Sequence, residues 1–242
     1  MADLKELIRN QARSLQFRYG PADWELIRID PGQFTFGAPK DEPGWEEGDV
    51  PPMRVTITKA FYLGKYQITQ AQYRAIMGTN PARFKGEEVA VDQITYSSAL
   101  SFCQRLSKLL GVDVTLPTEA QWEYACRAGT QTPYYSGAAE RDLDRVAWYR
   151  GNSGRAVHRV GEKIPNAWGL YDMLGNLYEP CIDYITNASK VDREDPAGPR
   201  RTTHGAARGG AWTEPAERCR AATRIVTDDM FGALGLRIAI PV

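Results

Sequence analysis

The sequence predicts an α+β fold in which a few helices pack around an irregular, loop-rich antiparallel sheet. Helical periodicity is confined to the first 129 of 242 residues, and the rest is rich in glycine, proline and aromatic residues. Strand and helix patterns do not alternate as they do in parallel βαβ folds. The length suits one domain, predicted over residues 21–242, preceded by a helical extension at residues 1–20.

The first elements follow from apolar spacing. A helix is predicted over residues 4–17, with one apolar stripe formed by Leu4, Leu7, Ile8 and Leu15. From Trp24 the pattern alternates, so "WELIRIDPGQFTFG" predicts two strands around a turn at residues 30–32, where proline fixes φ and glycine tolerates positive φ. Strand character resumes in "MRVTITKAFYLGKYQIT".

Three further helices carry recognisable ends. One is capped by Thr69, and a second covers residues 97–110 before Gly111. The third begins in "LPTEAQWEYACRAG" with a capping box, in which Thr118 and Gln121 satisfy each other's free backbone N–H groups. The last strand is predicted in "LGLRIAI".

Charge and hydropathy exclude several partners. Thirty acidic and thirty basic residues give no net field that would attract nucleic acid or an anionic membrane. The N-terminus lacks the apolar core of a signal peptide, and no apolar run is long enough to cross a bilayer. These features predict a cytoplasmic protein, bacterial in style, with neither a nucleic-acid nor a membrane partner.

Five ordered stretches resemble the formylglycine-generating-enzyme/sulfatase-modifying-factor family over about residues 22–240. They are "FYLGKYQITQAQYRAIMGTNPARF", "LPTEAQWEYACRAG", "NAWGLYDMLGNLYE", "RGGAW" and "LGLR". The resemblance implies an elaborated C-type-lectin-like fold. The family includes copper- and oxygen-dependent oxidases of a sulfatase cysteine, three-histidine iron enzymes, and non-catalytic ligand-binding members such as the variable proteins of diversity-generating retroelements.

The residues that the family's enzymes use are missing. Copper(I) is held by two thiolates, but only Cys219 lies between Gly210 and Arg224. The chain has two histidines, His158 and His204, without the spacing of an iron site. Neither copper nor iron is therefore expected. The four cysteines are widely separated, so we predict buried thiols, with Cys219 facing inward from a strand in "ERCRAATR".

A structural calcium ion is implied by the resemblance. Its ligands would be Asp172, the backbone carbonyls of Gly175 and Leu177, and Glu179. Hard anionic and carbonyl oxygens across a tight glycine-containing turn are what calcium prefers. The alternative is that the two carboxylates only accept hydrogen bonds from backbone N–H groups in that turn.

The segment after "RGGAW" is predicted to form the ligand-binding face, since lectin-type folds display loops there on a rigid scaffold. The candidate residues are Trp212, Thr213, Glu214, Arg220, Thr223, Ile225, Val226, Thr227, Asp228, Asp229, Met230 and Phe231. An apolar centre with a charged rim suits a protein or peptide ligand. Alternatively, Ile225, Met230 and Phe231 point into the core.

These observations favour a non-catalytic domain that binds a protein or peptide, including the variable-protein type diversified by a retroelement. The family's usual Gly-Phe-Arg near the end is Gly235-Leu236-Arg237 here, which argues against transferring a substrate from the enzymes. The alternative is an oxidoreductase acting on a cysteine or another thiol, with Cys181 and Cys219 or a carboxylate pocket as its reactive groups. A third hypothesis makes the N-terminal helix a docking element for a regulatory partner.

Overall fold

The computed structural model describes residues 4–183, 193–198, 205–227 and 232–242, and within these ranges the chain folds into helices and three antiparallel sheets. The helices are α1 (Leu4–Arg9), α2 (Gln70–Met77), α3 (Tyr96–Leu110), α4 (Glu119–Arg127) and α5 (Glu140–Leu143). The strands are β1 (Ser14–Tyr19), β2 (Ala22–Ile29), β3 (Gly32–Phe36), β4 (Met53–Ile57), β5 (Phe61–Gly64), β6 (Glu179–Pro180), β7 (Ala206–Arg208), β8 (Arg224–Val226) and β9 (Ala239–Pro241). The predicted α+β class is confirmed.

The sheets bring distant parts of the chain together. The largest has the order β1-β2-β5-β9, so the first and last strands belong to the same sheet. A second sheet pairs β3 with β4, and a third has the order β6-β7-β8. The third sheet carries "RGGAW" directly after β7 and therefore positions the predicted ligand face.

The predicted helix over residues 4–17 is wrong in its second half. Helix α1 ends at Arg9, Gln11 adopts φ 53°, and β1 then pairs along its whole length with β2. Leu15 is fully buried opposite Leu26 in that pairing. Residues up to 20 are thus not a detached helical extension, because pairing with β2 outweighs a weak local helix preference.

The turn at residues 30–32 joins two sheets and does not form a hairpin. Strands β2 and β3 exist on either side of it as predicted, but β2 pairs with β1 and β5 whereas β3 pairs with β4. The Tyr124 hydroxyl from α4 donates to Asp30 O at 3.2 Å, which fixes the turn against that helix.

Local end signals predicted the helices well. The N-caps of α2 and α4 are Thr69 and Thr118, each in a capping box. Helix α3 ends at Gly111 in the left-handed region, as predicted. The left-handed residue that ends α4 is Ala128, one position before the predicted Gly129.

The last strand is shorter than predicted, since only Ala239–Pro241 of the C-terminal segment pair with β5. Residues 235–238 precede it as buried, irregular chain. Among the described residues, no helix is long and apolar enough to cross a membrane.

Candidate functional site

Cys219 lies in the core and not on a strand. The segment predicted as a strand begins with the 3₁₀ turn Ala216–Arg218, and β8 starts only at Arg224. The Cys219 side chain is fully buried, and burial raises the pKa of its thiol above the ordinary value. A Cβ placed on Gly210 would lie 2.6 Å from Cys219 Sγ, so the thiol packs directly beneath the "RGG" backbone.

The other three thiols are also buried, as predicted. Burial raises the pKa of Cys103 to about 12 and that of Cys181 well above its usual range. Cys126 is likewise inaccessible. All four cysteines are free thiols. The thiolate is the nucleophilic and metal-binding form of cysteine, and this environment disfavours it at neutral pH.

His158, the histidine within the described residues, is held by contacts with neighbouring protein groups. The His158 ring stacks on Trp148 with centroids 3.7 Å apart, and its Nε2 lies 2.7 Å from Ser153 O. The other histidine, His204, lies outside the described residues. Among the described residues, no group of three or more His, Cys, Asp or Glu side chains is placed to hold a metal ion.

The residues that the resemblance assigns to calcium are buried but already occupied by protein donors. Both Glu179 oxygens accept from Arg237, at 2.7 and 2.8 Å, and one also accepts from Trp122 Nε1 at 2.7 Å. The Asp172 carboxylate accepts from Gly161 N at 2.7 Å. The space between the carbonyls holds the carboxamide of Gln67. This arrangement does not fit a cation.

The predicted ligand face divides into three groups by burial. Thr213 is exposed, and Trp212, Glu214, Ile225 and Val226 are half-buried. Arg220, Thr223 and Thr227 are buried and do not contribute to an exposed surface. The last four candidates, Asp228, Asp229, Met230 and Phe231, lie outside the described residues.

The half-buried candidates do not share one apolar patch. Ile225 packs against the large core cluster that contains Ala207 and Ala211, which agrees with the inward-pointing alternative. Trp212 packs against a separate small cluster formed by Ala90, Val157 and Leu177. The surface that remains accessible is centred on Trp212 and Thr213.

Arg220 is an internal anchor and not a recognition residue. Its guanidinium pairs with Glu42 at 2.7 Å and with Asp49 at 2.6 Å, and it donates to Gly44 O at 2.6 Å. These bonds attach the polar loop over residues 42–49 to the segment that follows Trp212.

Trp212 is positioned by two loops from elsewhere in the chain. Its ring meets Phe84 edge-on at 5.4 Å between centroids, and its carbonyl accepts from Ser153 Oγ at 3.0 Å. The next turn is fixed by Arg150 N, which donates to Glu214 O at 2.8 Å. The Trp212 indole N–H is buried yet has no hydrogen-bond partner within the described structure.

Three exposed arginines lie on the loops around this aromatic pair, beside the half-buried Glu214. Arg83 lies over the Phe84 ring at 5.4 Å, whereas the backbone N–H groups of Arg150 and Arg155 donate to Glu214 O and Ser153 Oγ. We call Phe84, Trp212, Thr213 and these three arginines the Trp212 surface. Sequence reasoning missed Phe84 and the arginines. Arg83 and Phe84 end a different motif, far from Trp212 along the chain, and Arg150 and Arg155 lie outside the motifs, so nothing local marks their proximity to Trp212.

A cleft lies away from the predicted ligand face, and none of the candidate residues lines it. It has a volume of about 710 Å³ and is lined by Tyr124, Trp168 and both acidic and basic residues of β2, including Glu25 and Arg28. Trp168 meets Tyr124 edge-on at 4.8 Å between centroids. This cleft offers a half-buried tryptophan comparable to Trp212 in a place that sequence reasoning did not select.

The chain is similar to several known proteins. The model of the sulfatase-modifying factor enzyme 1-like domain matches residues 20–241. The chaperone protein LppX of Paenibacillus barcinonensis is 29% identical over 202 residues, which cover 63% of this chain and 69% of LppX.

Two solved structures resemble almost the whole fold. Treponema denticola variable protein 1 superposes with a TM-score of 0.85 and 25% identity, covering 95% of this chain and 99% of that one. PvdO from Pseudomonas aeruginosa gives a TM-score of 0.82 and 26% identity, with 94% and 98% covered.

Proposed function

This chain belongs to the sulfatase-modifying factor enzyme 1-like family, and we propose that it is a non-catalytic member which binds a protein or peptide at the Trp212 surface. The observation that carries the proposal is the pairing of Trp212 with Phe84 among loops that carry three exposed arginines. Tryptophan and arginine are the residues that most often dominate binding energy in protein interfaces.

The state of the thiols supports the non-catalytic half of the proposal. An oxidase that uses cysteine needs an accessible thiolate, and all four cysteines here are buried with their pKa values raised where a shift is resolved. Cys219, the single thiol after "RGG", packs under backbone and is fully buried.

The three arginines indicate the kind of ligand. One exposed arginine over an aromatic ring and two more on the neighbouring loops favour a segment with acidic side chains next to an apolar or aromatic residue. A binding role also agrees with two of the similar proteins, since one is named a chaperone and another a variable protein. Sequence diversification of residues 213–227 by a retroelement is less well supported. Two of these residues, Thr223 and Thr227, are buried and could not contact a ligand.

The test compares Trp212→Ala with Trp168→Ala. A displayed peptide library is enriched on the wild-type chain, and dissociation constants of the enriched peptides are measured by fluorescence anisotropy. We expect enriched peptides to be acidic and Trp212→Ala to weaken their binding at least about 30-fold, the loss typical of a central aromatic contact. Trp168→Ala is the matched control and should leave affinity within about twofold of wild type.

Two results would overturn the assignment. Enrichment of no peptide above background on the wild-type chain would contradict a peptide-binding surface. Loss of binding in Trp168→Ala but not in Trp212→Ala would place the ligand in the cleft beside β2. Both variants are measured below their melting midpoints, so that unfolding does not contribute to the loss.

Replacing Cys219 by serine should affect stability and not binding. A buried hydroxyl in place of the thiol is expected to lower the free energy of unfolding by about 1–3 kcal/mol, since the site is apolar. Affinity for the enriched peptides should stay unchanged. The opposite outcome is aldehyde formation from a cysteine-containing sulfatase peptide with copper and oxygen by the wild-type chain, abolished in Cys219→Ser.

A further inference from the structure

Gln67 contacts all four residues of the calcium ligand set that the resemblance implies, although at Asp172 it meets the backbone carbonyl and not the carboxylate. It sits between β5 and α2, its side chain is almost fully buried, and its Nε2 faces four oxygens. The distances from Nε2 are 2.8 Å to Leu177 O, 3.0 Å to Glu179 Oε1, 3.3 Å to Asp172 O and 3.5 Å to Gly175 O. A carboxamide nitrogen carries two hydrogens, so the two shorter contacts are the principal bonds.

The orientation of this carboxamide is fixed by a second amide. Gln67 Oε1 accepts from Asn176 Nδ2 at 3.0 Å, and Asn176 Oδ1 in turn accepts from His158 N at 2.9 Å. Exchanging the oxygen and nitrogen of Gln67 would place its oxygen against four other oxygens. It would also set the two amide nitrogens facing each other. Only the orientation with nitrogen inward satisfies every group.

The charge of Glu179 is balanced without an ion. Glu179 is fully buried, and its two oxygens accept from Arg237, Trp122 and Gln67. Arg237 supplies the compensating positive charge within a bidentate pair. A buried carboxylate so neutralised does not need a divalent cation.

We propose that Gln67 takes the place of a cation in this chain and that the site is a latent calcium site which Gln67→Glu would open. The wild-type fold then requires no calcium. In the variant, a carboxylate oxygen replaces the inward-facing N–H group and meets three carbonyls and Glu179 Oε1. If both oxygens of the new carboxylate take part, six oxygens surround the site after a small contraction, the lower limit of the six to eight that calcium coordinates at about 2.3–2.6 Å.

The test is thermal unfolding of the full chain with a chelator and with millimolar CaCl₂, using MgCl₂ as the ion control. We expect the wild-type midpoint to be the same in all three conditions. Gln67→Glu should melt at least about 5 °C lower than wild type in chelator and recover at least half of that shift in calcium. Gln67→Leu removes the amide without adding a carboxylate. Its melting midpoint should be lowered equally with and without calcium.

Several outcomes would overturn the proposal. A wild-type midpoint that falls in chelator and rises with calcium, or stoichiometric calcium in the purified wild-type protein by elemental analysis, would contradict the replacement of the cation. A Gln67→Glu variant that is indifferent to calcium would contradict the latent site. If this variant folds only when refolded with calcium, that supports the proposal, and failure to refold in either condition counts against it.

Discussion

Replacing Arg220 by methionine is expected to lower the free energy of unfolding by about 3–5 kcal/mol. The side chain is 1% exposed and pairs with two carboxylates, Glu42 and Asp49, which are themselves nearly buried. Methionine fills most of the volume but leaves both carboxylates without their charge partner. Removing one member of a buried ion pair is costly because an uncompensated charge stays behind.

The same substitution should loosen the loop over residues 42–49. Arg220 contacts that loop through Glu42, Asp49 and Gly44 O, so its loss removes three of the bonds that fasten the loop to the body of the domain. Hydrogen exchange of the amides in residues 42–49 should accelerate before global unfolding. Unaltered protection there would contradict the anchoring role.

Arg218→Met is the matched control. Arg218 lies two residues away and pairs with Glu46 of the same loop, but both side chains are nearly half exposed. An exposed pair of this kind contributes about 0–1 kcal/mol, so the control should change stability little. Equal losses in the two variants would mean that the loop contact itself, and not burial of the charges, sets the cost.

The fold could be predicted from sequence where the signal is local. Capping boxes at Thr69 and Thr118 and the glycine after α3 act within one helical turn, so they mark the helix ends almost to the residue. The same local reasoning failed at Leu15, where alternation in a short segment competed with a helical stripe. Partners more than ten residues away decided the outcome there.

Long-range polar contacts could not be predicted at all. Gln67 is separated by more than 100 residues from the oxygens it meets, and an uncharged glutamine carries no signal for such a position. Arg220 was predicted on the exposed ligand face, because a buried ion pair such as Arg220–Glu42 is indistinguishable from surface charges in a sequence. Their roles emerge only when the third sheet brings the C-terminal segment against the loop.

At the Trp212 surface, too, some residues could be identified from the sequence and others could not. Trp212 ends one motif and Thr213 follows it, and both were identified from sequence. Phe84 ends a different motif and reaches the site from the loop after α2. The motif fixes the backbone, and the loops that surround it determine which side chains a ligand meets. The proposed binding site therefore depends on how the fold brings separate motifs and loops together, which no single motif reveals.

Gly175→Ala is expected to be the second large destabilisation and to lower the free energy of unfolding by about 2–5 kcal/mol. Gly175 adopts φ +73°, a conformation that costs an L-residue about 1–2 kcal/mol. A Cβ at this position would also lie 2.3 Å from Trp148 O, an impossible approach to backbone that forces the two segments apart. Overlap of this kind adds about 1–3 kcal/mol to the loss in free energy of unfolding.

The control for this prediction is Gly169→Ala, in the same glycine-rich segment. Gly169 has φ +81°, but a Cβ there would meet nothing within 4 Å, so only the conformational cost of about 1–2 kcal/mol applies.

The difference between the two variants in chemical denaturation measures the close approach of Trp148 to the turn. That approach positions Asn176, whose backbone N–H donates to Trp148 O at 2.7 Å and whose amide orients Gln67. Equal costs at Gly175 and Gly169 would mean that the turn yields to the added methyl, and that its close packing does not hold the buried amides in place.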